Sequence, residues 1–266
     1  MLNTIKSYAK INLFLNVVNK LDTGFHELNS VLSRIDLYDE IRIKDESSFS
    51  ISYNGPFGDQ VGSNDHISKL FNYLIDKNYL KQKSFAIHVV KNIPVGSGLG
   101  GGSSNVAEII KYLIRSNLLD NSSSTEIARD LGSDIEFFID EGSALISGKG
   151  NVDQRFKINS DKHFLIVFPN VQNITKDIFN KHSNLSGEKF SYNKDTNLDG
   201  ILKGTSNELE KTALLANQEM KKIREYLDND INCKYERMTG SGSAYFTVYE
   251  DKQKAEEAIQ LSLIHI

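Results

Sequence analysis

Apolar residues fall in short blocks along most of the chain, and the spacing within each block predicts an element. "KINLFLNVV" (Lys10–Val18) is β-prone and predicts a strand, with a turn at Asp22–Gly24 after it. "EIRIKD" and "FSISY" alternate and predict two strands paired with each other. Asn64 or Asp65 is placed to cap a helix through Asn78 that gathers Ile67, Leu70, Phe71 and Leu74 on one face. "FAIHVV" (Phe85–Val90) alternates again. A glycine-rich stretch then breaks the pattern, and Val106, Ile109, Ile110, Leu113 and Ile114 resume it at helical spacing.

Ser123 and Glu126 form the letters of a capping box for a helix Thr125–Leu131, with Gly132 at its C-cap. "GSALISG" predicts a strand. Residues Asn151–Lys162 are polar and charged, and a domain boundary is placed there, giving units 1–155 and 160–266. "FLIVFP" (Phe164–Pro169) predicts a buried strand, and the polar stretch Leu185–Asp199 a surface loop. Leu209, Ala213, Ala216, Met220, Ile223 and Leu227 predict one long amphipathic helix. "CKYERM" and "AYFTVYE" predict strands on either side of "TGSGS", and a last helix starts near Asp251. The second unit thus runs strand, helix, strand, strand, helix. That order implies a ferredoxin-like layer of helices on an antiparallel sheet, and the chain as a whole is α+β. The tail "LSLIHI" (Leu261–Ile266) matches one reading frame of a sequencing-transposase adapter. It is set aside as an assembly scar on a truncated second unit.

Composition narrows the function. The chain has 266 residues, 39% hydrophobic and 25% charged, with a net charge of −4, so a general affinity for nucleic acid is not expected. One cysteine, Cys233, excludes a disulfide framework and a thiolate metal site, and fits a reducing, cytoplasmic setting. No apolar run approaches the roughly 18 residues of a membrane span, and the start of the chain has no signal-peptide profile.

The candidate chemistry lies in "IPVGSGLGGGSSNVAEII" (Ile93–Ile110). A glycine loop opening a helix turns backbone N–H groups toward one point, where the helix dipole adds positive charge. Ser103 and Ser104 add hydroxyls that can cap the helix or approach a metal. The loop is suited to phosphate. It lacks the lysine of a Walker A loop. "GSGLGG" (Gly96–Gly101) spells G-x-G-x-x-G but has Pro94 before it and no acidic strand residue about 20 positions on, so a dinucleotide fold is disfavoured.

Three segments together carry more than any one. "AKINLFLNV" (Ala9–Val17), "PVGSGLGGGSSN" (Pro94–Asn105) and "MTGSGSAYF" (Met238–Phe246) resemble the three signature motifs of the GHMP kinases. "TGFHELNSV" and "LGSDIEFF" resemble, more narrowly, the branch that acts on a cytidine-diphosphate-linked methylerythritol. The resemblance covers nearly the whole chain to about Gln260. It implies two domains, a ribosomal S5 domain 2-like N-terminal domain and a ferredoxin-like C-terminal domain. The active site would lie between them, with ATP and Mg²⁺ as cofactors and transfer to a tertiary 2-hydroxyl. The partner is then a small-molecule substrate, with no nucleic acid and no membrane, and the chain a monomer or weak homodimer.

The same resemblance implies residue roles. Lys10 and Asp134 would be the catalytic pair, the lysine stabilising charge near the acceptor hydroxyl and the aspartate accepting its proton. Pro94, Gly96, Gly98, Leu99, Gly100, Gly101, Gly102, Ser103 and Ser104 would hold the ATP phosphates, with Asn64 and Lys91 on the adenine side. Asn12, Phe25, His26, Thr175 and Phe179 would bind the acceptor, with Phe25 and the opposing Phe179 stacking on a cytosine and His26 hydrogen-bonding its edge. Thr239, Gly240, Ser241 and Gly242 would close the cleft. No protein metal ligand is expected. Glu136 stands where the branch usually has proline, which could loosen the turn that carries Asp134 or add a charge near it. The rival readings are another GHMP kinase, for homoserine, mevalonate or a sugar, and a silent nucleotide-binding homologue.

Overall fold

The computed structural model describes residues 4–63, 65–81, 85–193 and 196–265, with side chains through 259. The first half contains, in order, β1 (Thr4–Lys20), β2 (His26–Asp45), β3 (Ser50–Asn54), α1 (His66–Asp76), β4 (Phe85–Val90), α2 (Gly101–Arg115), α3 (Ser124–Leu131), α4 (Ile135–Ile139), β5 (Ser143–Gly148) and β6 (Asn151–Phe156). Then come β7 (His163–Val167), α5 (Thr175–Lys181), α6 (Leu198–Leu202), α7 (Glu210–Ala216), α8 (Gln218–Asp228), β8 (Tyr235–Met238), β9 (Tyr245–Tyr249) and α9 (Lys252–His265). The strands form a six-stranded sheet of order β3-β4-β2-β5-β6 with β1 paired to β2, and a three-stranded sheet of order β7-β9-β8.

Long strands need long apolar alternation, and β1 has it: Ala9, Ile11, Leu13, Phe14 and Val17 are fully buried. The helices α1 to α4 bring Ile67, Leu70, Phe71, Ile109, Ile110, Phe137 and Phe138 against Ile41, Ile87 and Val89 of the large sheet. Each such side chain contributes about 1.5–3 kcal/mol when fully buried. Ile11, Leu13 and Phe14 of β1 pack instead with Ala244, Phe246 and Val248 and with α6. One strand therefore belongs to the cores of both sheets.

Several sequence expectations are corrected here. "EIRIKD" and "FSISY" do not pair: β4 lies between them, antiparallel to β2 and parallel to β3. Alternation marks a strand but does not name its neighbour. The polar stretch after residue 150 carries β6, whose mostly exposed side chains are those of an outer strand. The capping box at Ser123 is not made: Ser123 is αR with no side-chain cap, and Asp120 instead caps the preceding turn through Ser122 N. Gly132 is the C-cap as expected, in extended backbone, with its N–H on Ala128 O. The single long helix is two, α7 and α8, broken at Asn217, whose side chain accepts from Glu219 N and so starts the second. β7 is half-buried because it is an outer strand of its sheet. The polar 185–199 stretch is not all surface, since Phe190 packs on Phe14 and its N–H donates to Asn29. Asp65 is the α1 cap, accepting from Ile67 N and Ser68 N. The side chains of the last six residues, on which the tail reading falls, lie outside those described.

Candidate active site

The free edge of β1 organises the site. On its β2 side the strand is paired; on the other side each exposed group finds a different partner. Lys10 N donates to Leu99 O at 2.9 Å, hanging the glycine loop on the strand. Asn12 N donates to Thr239 Oγ1 at 2.9 Å, hanging the "TGSGS" turn beside it. Leu15 N and O bond to Ser206 and Glu208. The two glycine segments thus face each other across the positions of Lys10 and Asn12, because one strand edge must satisfy its backbone groups.

A cleft of about 460 Å³ opens there. Lys10, Asn12, Pro94, Gly96, Gly98, Gly100, Gly101, Gly102, Ser103, Asp134, Thr175, Phe179, Gly240 and Ser241 line it, as does Lys91. The buried Lys10 ammonium donates to Asn12 Oδ1 at 2.6 Å and stands 3.4 Å from Asp134 Oδ2. Asn12 Nδ2 in turn donates to Ser30 Oγ. Asp134 is the residue before α4, but its carboxylate caps nothing and is about one third exposed. It is therefore available to a ligand, with its charge balanced by Lys10.

Two glycines are required by geometry. Gly98 has φ 81°, and a Cβ there would lie 2.3 Å from Thr239 O, so the two glycine segments touch backbone to backbone. Gly100 is the α2 N-cap at φ 74° with no side-chain cap. The first-turn N–H groups of the fifteen-residue α2 are thereby left for a ligand. A Cβ on Gly100 would also press on Lys10 Cγ and the Phe138 ring, each 3.1 Å away.

Other expected residues lie elsewhere. Leu99 is fully buried and anchors the loop rather than lining the cleft. Ser104 turns its hydroxyl inward to Ser7 Oγ at 2.8 Å, because α2 rotates it away from the cleft one residue after Ser103. Thr239 is buried and engaged with Asn12. Gly242 closes the turn, its N–H on Thr239 O. Phe25 is 60% exposed, with the Lys149 ammonium 4.6 Å over its ring, and the ring that meets Phe179 is His26, stacked at 5.4 Å. Burial, with Lys20 and His182 nearby, pushes the His26 imidazole below its usual range. Asn64 lies outside the described residues. Lys91 pairs with the buried Asp39, and burial holds its ammonium below the usual range against that partner.

Asp39 is the main residue the sequence did not flag. Its Oδ1 accepts from Asn92 N and Ile93 N, and its Oδ2 from Lys91 and Asn105. It fixes the chain at the point where β4 leads into the glycine loop. In "DLYDEIRIK" nothing separates it from surface acids. His66 and Tyr53 also line the cleft; the Tyr53 hydroxyl donates to Asp65. Glu136 faces away: Arg129 binds it bidentately at 2.8 and 2.9 Å. Arg34 and Arg155 hold the carbonyls of α4 from the other side, Arg34 on Phe138 and Asp140, Arg155 on Glu136 and Phe137. The segment carrying Asp134 is thus held without proline.

Known proteins are similar to this chain in sequence and fold. The family described as GHMP kinases N terminal domain matches residues 65–145, and GHMP kinases C terminal matches residues 193–260. A 4-diphosphocytidyl-2-C-methyl-D-erythritol kinase of Pelagibacter ubique is 35% identical, over 96% of this chain and 92% of its own. The kinase of that name from Fervidobacterium nodosum is 33% identical, over 93% of this chain and 90% of its own. Among solved structures, a 4-(cytidine 5'-diphospho)-2C-methyl-D-erythritol kinase superposes with a TM-score of 0.77 at 25% identity, over 97% of this chain and 94% of its own. The Methanococcus jannaschii mevalonate kinase, at 17% identity and a TM-score of 0.62, over 98% of this chain and 94% of its own, shares the fold. With coverage of that extent, the chain belongs to the GHMP kinases as a small-molecule, ATP-dependent kinase, within the family of the 4-diphosphocytidyl-2-C-methyl-D-erythritol kinases.

Proposed function

We propose that the cleft transfers the γ-phosphoryl group of ATP to the 2-hydroxyl of 4-diphosphocytidyl-2-C-methyl-D-erythritol, in isoprenoid precursor synthesis. The observation that carries this is the Lys10–Asn12–Asp134 cluster, which lines one cleft with an uncapped glycine-rich helix start and with Phe179, on whose ring His26 stacks. Residues 1–155 would supply the nucleotide half of the cleft and residues 160–266 the other half.

In this reading the first turn of α2 and the N–H groups of Gly96–Gly102 hold the β- and γ-phosphates. The acceptor hydroxyl lies against Asp134, which takes its proton as the new P–O bond forms and the bond to ADP breaks. Lys10 stabilises the negative charge developing on that oxygen. Asn12 fixes the ammonium by accepting one of its hydrogens. His26 and Phe179 offer a flat aromatic surface and the hydrogen-bonding nitrogens of an imidazole to a base.

Mg²⁺ would arrive with the nucleotide. Among the described residues no cluster of three or more acidic, histidine or cysteine groups could hold a metal by itself. The Ser103 hydroxyl on the cleft wall offers a hard oxygen donor beside the phosphate and water that would complete the Mg²⁺ shell. The ion's contribution is to neutralise phosphate charge. The enzyme would work in the cytoplasm as a monomer or weak homodimer on this small-molecule substrate. No helix among the described residues is long and apolar enough to cross a membrane.

A coupled assay of ADP release tests the reading, with the cytidylyl acceptor, mevalonate and homoserine in parallel. Release with the first at a kcat/KM at least 100-fold above the others is expected. Equal release with all three, or release with another acceptor alone, overturns it.

A further inference from the structure

We infer that Asn207 is a positioning residue that sets the "TGSGS" turn against Lys10. The inference rests on the proposed catalytic role of Lys10. Asn207 precedes α7 and is 96% buried, its relative exposure being 4%. Its side-chain amide donates two hydrogen bonds, to Met238 O at 2.7 Å and to Gly240 O at 2.8 Å. Its Oδ1 accepts from Leu209 N at 3.0 Å. Three of the amide's four hydrogen-bonding directions, including both donors, are used, and the two donors grip one turn.

Other bonds hold the far part of the turn: Asn173 Nδ2 donates to Ser241 O at 2.9 Å, the Thr175 and Ser241 hydroxyls are 2.9 Å apart, and Ala244 N donates to Ser97 O at 3.0 Å. Gly240 has φ 57°, and a Cβ at Gly240 would lie 3.5 Å from Lys10 Nζ and 3.2 Å from Gly98 O. The backbone of Gly240 is therefore a wall of the lysine's pocket and a neighbour of the phosphate loop. The strap bearing Asn207 is itself fixed to β1: Leu15 N donates to Ser206 O, Glu208 N to Leu15 O, and Val17 N to Glu208 Oε2. Asn207 is thus the crosspiece between the β1 edge and the turn. It fixes their separation at the place where Lys10 must meet the acceptor. It touches no substrate position itself and acts through Gly240.

Aspartate is nearly isosteric but, ionised, would point oxygen at two carbonyl oxygens; alanine removes both donors. Misplacing a reacting group by about 1 Å can cost on the order of 100-fold in rate. We therefore compare Asn207→Asp and Asn207→Ala with Glu208→Gln, which alters the strap without touching the turn. The readouts are kcat, the KM for ATP, the unfolding midpoint, and hydrogen exchange of the peptide spanning 238–244. The expected result is a kcat lowered roughly 30- to 100-fold in both Asn207 variants, with the ATP KM within threefold of wild type. Exchange at 238–244 should rise, while the β7–β9 pairing stays protected. Glu208→Gln should keep kcat within threefold. A lowered midpoint with unchanged kcat in folded Asn207 variants, or unchanged exchange at the turn, overturns the inference. If wild type itself shows no turnover with the cytidylyl acceptor, the proposed function fails, while the exchange comparison still decides whether Asn207 fixes the turn.

Discussion

Lys10 and Asp134 sit far apart in sequence and 3.4 Å apart in the fold, and each has the other as its nearest charge balance. Replacing Asp134 by Asn keeps the shape and removes the proposed proton acceptor. General-base loss costs roughly 100- to 10,000-fold. Asp134→Asn should lower kcat within that range while leaving ATP binding, followed by calorimetry, unchanged. Weakened ATP binding with an intact kcat would assign Asp134 to the nucleotide. In the proposed function Phe179 is on the acceptor side. Its ring contact is worth about 0.5–1.5 kcal/mol beyond burial. Phe179→Ala should therefore raise the acceptor KM about 2- to 10-fold, with kcat nearly unchanged. His26 and His66 are both held below their usual 6.5, burial being the main cause in each. The folded chain then binds fewer protons than the unfolded one. Their contribution to stability is present above pH 6.5 and is lost as the pH falls through 6.5 toward the folded values. Urea midpoints at pH 7.5 and 5.5 should differ in wild type and differ less in the His26→Gln/His66→Gln double variant.

At the scale of elements, hidden partners matter most. Lys91 and Asp39 form an ion pair beneath the glycine loop, and Asp39 also holds two loop N–H groups. Breaking a buried pair by removing one partner costs about 3–5 kcal/mol. Asp39→Ala should lower the unfolding free energy by that amount in urea titration; a loss below about 1 kcal/mol would contradict the geometry. Periodicity revealed α1, which buries one face through Ile67, Leu70, Phe71 and Leu74, and α2, whose Val106, Ile109, Ile110 and Leu113 lie within a wider buried surface. It failed where a polar residue decides the backbone. Asn217 stands within an unbroken apolar rhythm yet divides α7 from α8, since its side chain satisfies the next helix's N–H better than continuation would. Strand order was likewise invisible, because β4 enters between β2 and β3 from thirty residues downstream.

For the whole molecule, one strand does the joining. β1 lies in the large sheet, shares its apolar side chains with the small one, and carries the glycine loop, the "TGSGS" turn and the Asn207 strap on its free edge. The three glycine and lysine segments were legible in sequence because their chemistry is unusual for their elements: a lysine in an apolar strand, and glycines before a helix. The residues that fix their separation were not, because Asp39, Asn207, Arg34 and Arg155 act by bonding to backbone that is distant in sequence. Their letters look like those of any polar surface. A site of this kind is assembled by backbone contacts across the fold and completed by few side chains.

The most direct measurement is of the product. The enzyme, ATP, Mg²⁺ and 4-diphosphocytidyl-2-C-methyl-D-erythritol would be incubated together and followed by ³¹P NMR with carbon coupling at the acceptor. The account predicts one new phosphomonoester, formed in equal amount with ADP and attached at the tertiary 2-hydroxyl carbon, and none with Asp134→Asn on the same timescale. A phosphomonoester on a different hydroxyl, or ADP with inorganic phosphate and an unchanged acceptor, would contradict it.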